Sequence, residues 1–315
     1  MRAAVLLLAL LPACRPQVDP TPAPADAPAE VVALTGAAIL IGVGDIAACD
    51  SRGDELTAVI VDSVLKADSV ANVENVVFTL GDNAYPDGSA RNFARCFTPS
   101  WGDPAKRIMR SIRPSPGNHE HLTYDAAPYY EYFGENAGSP SKGYYSYNIG
   151  EWHAVALNSE IVVNGLFSEA DRAGQLKWLA EDLKANSKKC TVAYWHHPRF
   201  SSGWHGSDRR LVSFWEVLYG AGVDLILSGH DHHYERFHPQ TPAGVADSAR
   251  GIVQILAGTG GGEVRGLRDP LTPHSAARVQ GHFGVVKLTL GAEEWRSAFL
   301  ATNGGVYDAS GGKCH

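Results

Sequence analysis

Short uninterrupted apolar runs alternate along this chain with longer stretches in which apolar residues recur every three or four positions. Ala38 to Val43, Val76 to Leu80, Thr191 to Trp195 and Val223 to Leu227 are bounded by glycine or polar residues and read as buried strands. Asp54 to Lys66, Glu169 to Lys184 and Asp208 to Tyr219 carry helical periodicity, the last two after polar residues suited to capping. Leu176, Leu179 and Leu183 fall on one face of the second of these and are expected in the core. Strand and helix in alternation predict an α/β fold. After Gly251 the pattern changes to Ile252 to Leu256, a glycine cluster from Gly258 to Gly262, then Val285 to Leu290 and Trp295 to Leu300, a succession that predicts a hairpin-rich second sheet. The glycine cluster lacks the Lys-Ser/Thr ending of a phosphate-cradling loop and no helical pattern follows it, so a tight turn is expected there.

Composition narrows the classes. A chain of 315 residues with 44% hydrophobic and 19% charged residues can bury a large core, and no internal repeat or second-domain linker divides it. The net charge of −7 and the lack of a Lys/Arg run offer no grip on a nucleic-acid backbone, so no nucleic-acid partner is expected. At the N-terminus, Arg2 precedes an apolar run from Ala3 to Leu11 and then Pro12-Ala13-Cys14, the layout of an export signal. The segment resembles a bacterial lipobox, apart from Pro12, so two fates are open: a lipid on Cys14 as the sole membrane attachment, or cleavage and release. Residues 15–33 are largely Pro/Ala-rich and suit an extended tether. Four further cysteines allow three pairings, among which the sequence does not choose; Cys49 with Cys96 and Cys190 with Cys314 is the preferred one, in a structural role.

Several strand-like runs end on side chains that ligate metals. In an open α/β sheet ligands gather beyond the carboxyl ends of the strands, and the residues at those ends are Asp45, Asp82, Asn118, His196, His230 and His232. One Asp or His at a strand end is ordinarily a cap or a satisfied core residue. Six in order point to a metal centre. Two cations held close together need an anion between them, a role for Asp82, with Asp45 terminal. His230 and His232 are two residues apart, so an extended segment would present both on one face, and the glycines before Asp45, Asp82 and His230 would permit tight turns. By the same alternation His197 and His233 should point away; His121 is not expected to ligate either.

The blocks Gly44-Asp45, Gly81-Asp82-Asn83-Ala84-Tyr85, Gly117-Asn118-His119-Glu120, His196-His197-Pro198 and Gly229-His230-Asp231-His232 resemble, in order, the five motifs of the calcineurin-like metallophosphoesterases. The resemblance extends from about Ile39 to Thr259. It is similar above all to the purple acid phosphatase branch, as a bacterial single-domain form: where many relatives carry a first-motif His, this chain has Ala47, and Tyr85 stands three residues after the bridging Asp. The resemblance implies a four-layer αββα sandwich with two mixed β-sheets, spanning residues 34–315 as the catalytic domain after an export segment (1–14) and tether (15–33). It implies a first cation on Asp45, Asp82, Tyr85 and His232 and a second on Asp82, Asn118, His196 and His230. A phenolate with carboxylates suits Fe(III), and Asn with His suits divalent Fe, Zn or Mn.

The function so implied is hydrolysis of small phosphomonoesters by an exported, periplasmic, cell-envelope or secreted acid phosphatase. Metal-activated water would attack in line, with Asn118 holding the phosphoryl group and His119 and His205 contacting substrate oxygens, one of them as proton donor. Glu120 would either orient His119 by a hydrogen bond or serve as a structural partner of the loop. Two rivals stand beside this reading. One is a phosphodiesterase or nucleotidase on the same scaffold, the other a tethered binding module without catalysis. A serine nucleophile at Ser159 or Ser228 lacks the Gly-x-Ser-x-Gly elbow.

Overall fold

Two mixed β-sheets lie face to face with helices on their outer surfaces in the computed structural model, which describes Leu34, residues 37–140 and residues 142–315. The export segment, Cys14 and the tether lie outside the described residues. One sheet contains β1 (Ala38–Val43), β2 (Asn75–Leu80), β3 (Ile112–Ser115), β11 (Gly284–Leu290), β12 (Glu294–Ala301) and β13 (Val306–Lys313), in the order β13-β12-β11-β1-β2-β3. The other contains β4 (Tyr145–Ile149), β5 (Trp152–Ala156), β6 (Cys190–Tyr194), β7 (Leu225–Ser228), β8 (Tyr234–Phe237), β9 (Val253–Ala257) and β10 (Ser275–Val279), in the order β10-β8-β9-β7-β6-β5-β4. The helices are α1 (Gly53–Ala71), α2 (Ala90–Asn92), α3 (Ala127–Phe133), α4 (Glu160–Val163), α5 (Glu169–Ala185) and α6 (Val212–Gly220).

The sheets share one apolar core, with Phe78 of β2 and Tyr194 of β6 at 5.8 Å between ring centroids and Tyr234 of β8 and Phe299 of β12 at 4.5 Å. On the far side of the second sheet a separate core joins Leu179 of α5 and Phe214, Trp215 and Leu218 of α6 to Val155, Ala193 and Ile226 of the strands. Leu179 is fully buried, while Leu176 and Leu183 pack half-buried beside it. Ser168 caps α5 by accepting the Asp171 N–H, and Asp171 returns a bond to the Ser168 N–H at 2.9 Å, a reciprocal arrangement that satisfies two otherwise orphaned donors. Cys49 bonds to Cys96 and Cys190 to Cys314, the preferred pairing.

One expectation is corrected. The late strands do not form a sheet of their own: β11 pairs antiparallel with β1, Leu40 opposite Leu288, whereas β9 joins the other sheet, parallel to β7. The reason lies in β1, which is buried along its whole length and paired with β2 on one side only until β11 covers the other edge. Periodicity gives strands but not their partners. Six strands, β3, β4, β5, β8, β10 and β13, escaped the sequence reading as well, and two of them show why. In β3, four residues long, Arg113 and Pro114 break the apolar signal; as an edge strand paired only with β2 it tolerates the proline. The half-exposed Tyr145–Ile149 segment is mixed in polarity because it too is an edge.

Candidate metal centre

Parallel strands from both sheets end at one place. β1 leads to Asp45, β2 to Asp82, and β3 to Asn118, all in the first sheet; β6 leads to His196 and β7 to His230 in the second. The cluster thus forms where two facing sheets converge, rather than along the rim of a single open one.

All the candidate residues are brought together, in two overlapping groups. In the first, the Tyr85 hydroxyl lies 3.0 Å from Asp45 Oδ1, 3.2 Å from Asp82 Oδ2 and 3.1 Å from His232 Nε2. In the second, His196 Nε2 lies 3.0 Å from Asn118 Oδ1, 3.1 Å from His230 Nδ1 and 3.3 Å from Asp82 Oδ2. Asp82 Oδ2 belongs to both. One hydroxyl proton cannot serve two carboxylates and an imidazole, and one ring nitrogen cannot satisfy three neighbours. Ligands about 2.0–2.2 Å from a common cation stand roughly 3.0–3.5 Å apart, the spacing seen in each group. The donors present therefore fit a pair of cations bridged by Asp82.

Backbone and neighbouring groups aim these donors. His196 Nδ1 is 2.7 Å from the Leu80 carbonyl, which as a pure acceptor claims the proton and leaves Nε2 with a free lone pair. His230 donates its backbone N–H to Asp45 Oδ2 at 2.8 Å, and His119 its own to Asp82 Oδ1 at 2.9 Å. Asp45, Asp82 and His230 have positive φ of 59°, 49° and 71°, so the turn strain falls on the candidate ligands themselves. The glycines beside them serve chiefly close approach: a Cβ on Gly229 would stand 2.7 Å from Asp45 Oδ2 and 2.9 Å from the Leu80 carbonyl. Nor is the His230–His232 segment extended. It coils, Asp231 N–H to Gly229 O at 2.9 Å and His233 N–H to Asp231 O at 2.8 Å, which sends His230 Nδ1 to one group and His232 Nε2 to the other.

The electrostatics agree with a site for cations. Burial opposes charge on Asp82, but His196 holds its carboxyl well below the usual range. Burial likewise opposes charge on His196, yet the Asp82 carboxylate raises it to about 10. His230 is pushed down to about 3 by burial and by His196. Burial, Asp45 and Asp82 hold the Tyr85 phenol well above its ordinary value; a nearby cation is what reverses that balance.

His119 and His205 line the same cavity, of about 320 Å³. His119 Nδ1 faces the Pro86 carbonyl and so carries its proton there, leaving Nε2 toward Asp82. The His205 ring lies tilted against that of His230, with ring centroids 4.2 Å apart. Its loop is held by Asp231, a fully buried carboxylate that takes the N–H groups of His205 and Gly206 at 2.8 and 3.1 Å and the Ser201 hydroxyl. Glu120 does not touch the His119 ring. Its buried carboxylate accepts four backbone N–H groups, from Asp82, Asn83, Ala84 and Gly117 at 2.8–3.4 Å, tying the second block to the third. Of its two expected roles the contacts fit the structural one, since its partners are backbone groups of the loops and not the neighbouring ring.

Of the histidines expected to point away, His233 turns to Glu235 at 3.1 Å. His121 packs edge-on against Phe167. His197 is nearer than alternation suggests: it offers a ring nitrogen within 4.8 Å of ligand atoms of His196 and His230, while its Nδ1 faces Ser159 Oγ at 3.0 Å. The sequence reading also missed Arg265, which lies on the cavity wall in a loop with no motif of its own. The glycine cluster packs against the centre, Gly262 N–H donating to the Asp45 carbonyl at 2.9 Å.

Comparison with known proteins accords with this geometry. Residues 40–234 match the model of the calcineurin-like phosphoesterase family. Purple acid phosphatase 18 of Arabidopsis thaliana is 32% identical over 154 residues, 46% of this chain and 33% of the relative. Acid phosphatase type 7 of Homo sapiens is 26% identical over 261 residues, 71% of this chain and 57% of the relative. The chain thus spans between about a third and just over half of these relatives' length. The fold is shared with a purple acid phosphatase from yellow lupin (Lupinus luteus) seeds, at a TM-score of 0.70 and 17% identity over 87% of this chain and 53% of that one. With a family model covering more than half its residues and that family's two-sheet architecture, this chain belongs to the calcineurin-like phosphoesterases.

Proposed function

We propose that this chain is an exported acid phosphatase that hydrolyses phosphomonoesters at a dinuclear metal centre. The single observation that carries the reading is Asp82 Oδ2, an oxygen common to two groups of donors. Asp45, Asp82, Tyr85 and His232 would hold a ferric ion, and Asp82, Asn118, His196 and His230 a divalent Fe, Zn or Mn. Bound there, the two cations supply activation of water and neutralisation of phosphoryl charge. Asn118, at the mouth of the second group, orients the phosphoryl oxygens through its amide. His119 carries one proton on Nδ1 at the Pro86 carbonyl and, when protonated at Nε2 as well, gives that second proton to the departing alkoxide. His205 binds substrate oxygens from the opposite wall. Two disulfides accord with an oxidising compartment, and among the described residues no helix is long and apolar enough to cross a membrane.

The test is hydrolysis of a chromogenic phosphomonoester and of the matching diester across pH, by the metal-loaded protein and its Asn118→Ala variant. Monoester turnover favoured at acidic pH and reduced by at least about 100-fold in the variant is expected. A preference for the diester would move the assignment to a phosphodiesterase, and metal-loaded protein inert toward both would leave a binding module.

A further inference from the structure

Beyond the metal-facing residues, the cavity wall carries three charged side chains, Asp50, Glu263 and Arg265. Arg265 is the only Lys or Arg among the described residues lining it. Its position is built, not incidental. The Arg265 N–H donates to the carbonyl of His232 at 2.8 Å, and three residues earlier Gly262 donates to the carbonyl of Asp45. The loop is thereby fastened to the backbone of two candidate ligands. The guanidinium then runs along the cavity wall, where Nη1 donates to His205 Nε2 at 3.2 Å, and Nε and Nη2 contact Glu263 Oε2 at 3.1 Å each.

A guanidinium has five N–H donors, and these contacts occupy three, leaving two for a ligand. The pair with Glu263 is weak, because the carboxylate is 70% exposed and free to swing into water. His205, by accepting from Arg265, fixes the guanidinium over the cavity. The two side chains form one unit: a planar, permanently charged fork, held by an imidazole that itself packs at a tilt against His230.

We propose that Arg265 is a specificity-determining residue that pairs with a terminal phosphate oxygen and thereby favours monoesters over diesters. This rests on the phosphoesterase reading above. A phosphomonoester presents three unesterified oxygens and a diester two. At the position where a monoester offers its third oxyanion to Arg265, a diester places an uncharged ester oxygen bearing an alkyl or aryl group, with which a guanidinium forms no ion pair. Glu263 acts as the competing anion that the substrate displaces.

The experiment measures kcat/KM for a chromogenic phosphomonoester and its matching diester at one pH, with wild-type, Arg265→Ala, Arg265→Lys and Glu263→Gln proteins of equal metal content. Arg265→Ala is expected to lose about 10- to 100-fold on the monoester, the range of charge-assisted hydrogen bonds, and less than about threefold on the diester. Arg265→Lys keeps the charge but not the fork and falls between, and Glu263→Gln lowers the monoester KM by a few-fold. An equal loss on both esters would mean that Arg265 supports the loop and not the substrate, and no loss on the monoester would overturn the proposal outright. Inorganic phosphate, titrated calorimetrically into the same loaded proteins, needs no turnover. Its affinity should drop at least about tenfold in Arg265→Ala, and an unchanged affinity overturns the proposal whatever the esters do. Wild-type protein inert toward both esters, with phosphate binding still dependent on Arg265, would sink the phosphoesterase reading while leaving Arg265 as a phosphate ligand.

Discussion

Replacing Glu120 by Gln separates two opposing contributions whose sizes follow from the structure. The carboxylate is fully buried; Oε1 accepts from Asn83 and Ala84 at 2.8 and 3.4 Å, and Oε2 from Asp82 and Gly117 at 3.0 and 2.8 Å. An amide keeps one oxygen and presents two N–H donors to the other pair. Two buried backbone donors lose their partner, at about 1–3 kcal/mol each, or roughly 2–6 kcal/mol. Against this, burial and the Asp82 carboxylate push Glu120 up to about 7 in the cation-free protein. A carboxyl raised in the fold contributes its full share below its unfolded pKa of about 4.3 and loses it as pH climbs toward 7, so the buried charge costs about 3–4 kcal/mol there, which the neutral amide escapes. Cations on Asp82 offset its repulsion and remove that part of the cost, while the larger part imposed by burial remains. In urea unfolding followed by circular dichroism above pH 7, Glu120→Gln should therefore be nearly neutral in chelator-stripped protein and more destabilising, by about 1 kcal/mol or more, in metal-loaded protein. Metal content by elemental analysis should fall too, because the bond to the Asp82 N–H positions the shared ligand. Equal effects in the stripped and loaded forms, or less than about 0.5 kcal/mol in the loaded one, would refute the account of Glu120 as the tie between the second and third blocks.

Tyr85→Phe removes the one phenol among the gathered donors; protein loaded with ferric ion should lose a visible phenolate-to-iron absorption band, and a spectrum unchanged by the substitution would place iron away from Tyr85. In stripped protein His196 is raised to about 10 despite burial, through Asp82, so its contribution is complete below about pH 6.5 and is lost as pH rises toward 10. The melting temperature of the stripped protein should accordingly decline between pH 7 and 10, with a shallower slope in His196→Asn; a flat profile would contradict the His196–Asp82 pairing.

Local chemistry made much of this protein readable from its residues alone. Buried strands announce themselves as apolar runs and capped helices by their periodicity, as at Ala38–Val43 and at the Ser168 start of α5, because each depends on neighbours a few positions away. The ordered blocks from Gly44-Asp45 to His232 named the residues that the fold then gathers, since a metal centre limits which side chains can serve. What required tertiary structure was everything set by partners distant in the chain. That β11 covers the free edge of β1, that Asp82 Oδ2 is shared between two groups, that Glu120 holds backbone and not His119, and that Arg265 reaches His205 across 60 positions all depend on how two sheets close over one another. Strand pairing and cavity walls arise from long-range packing, whose alternatives differ little in local propensity, so only the folded chain chooses among them.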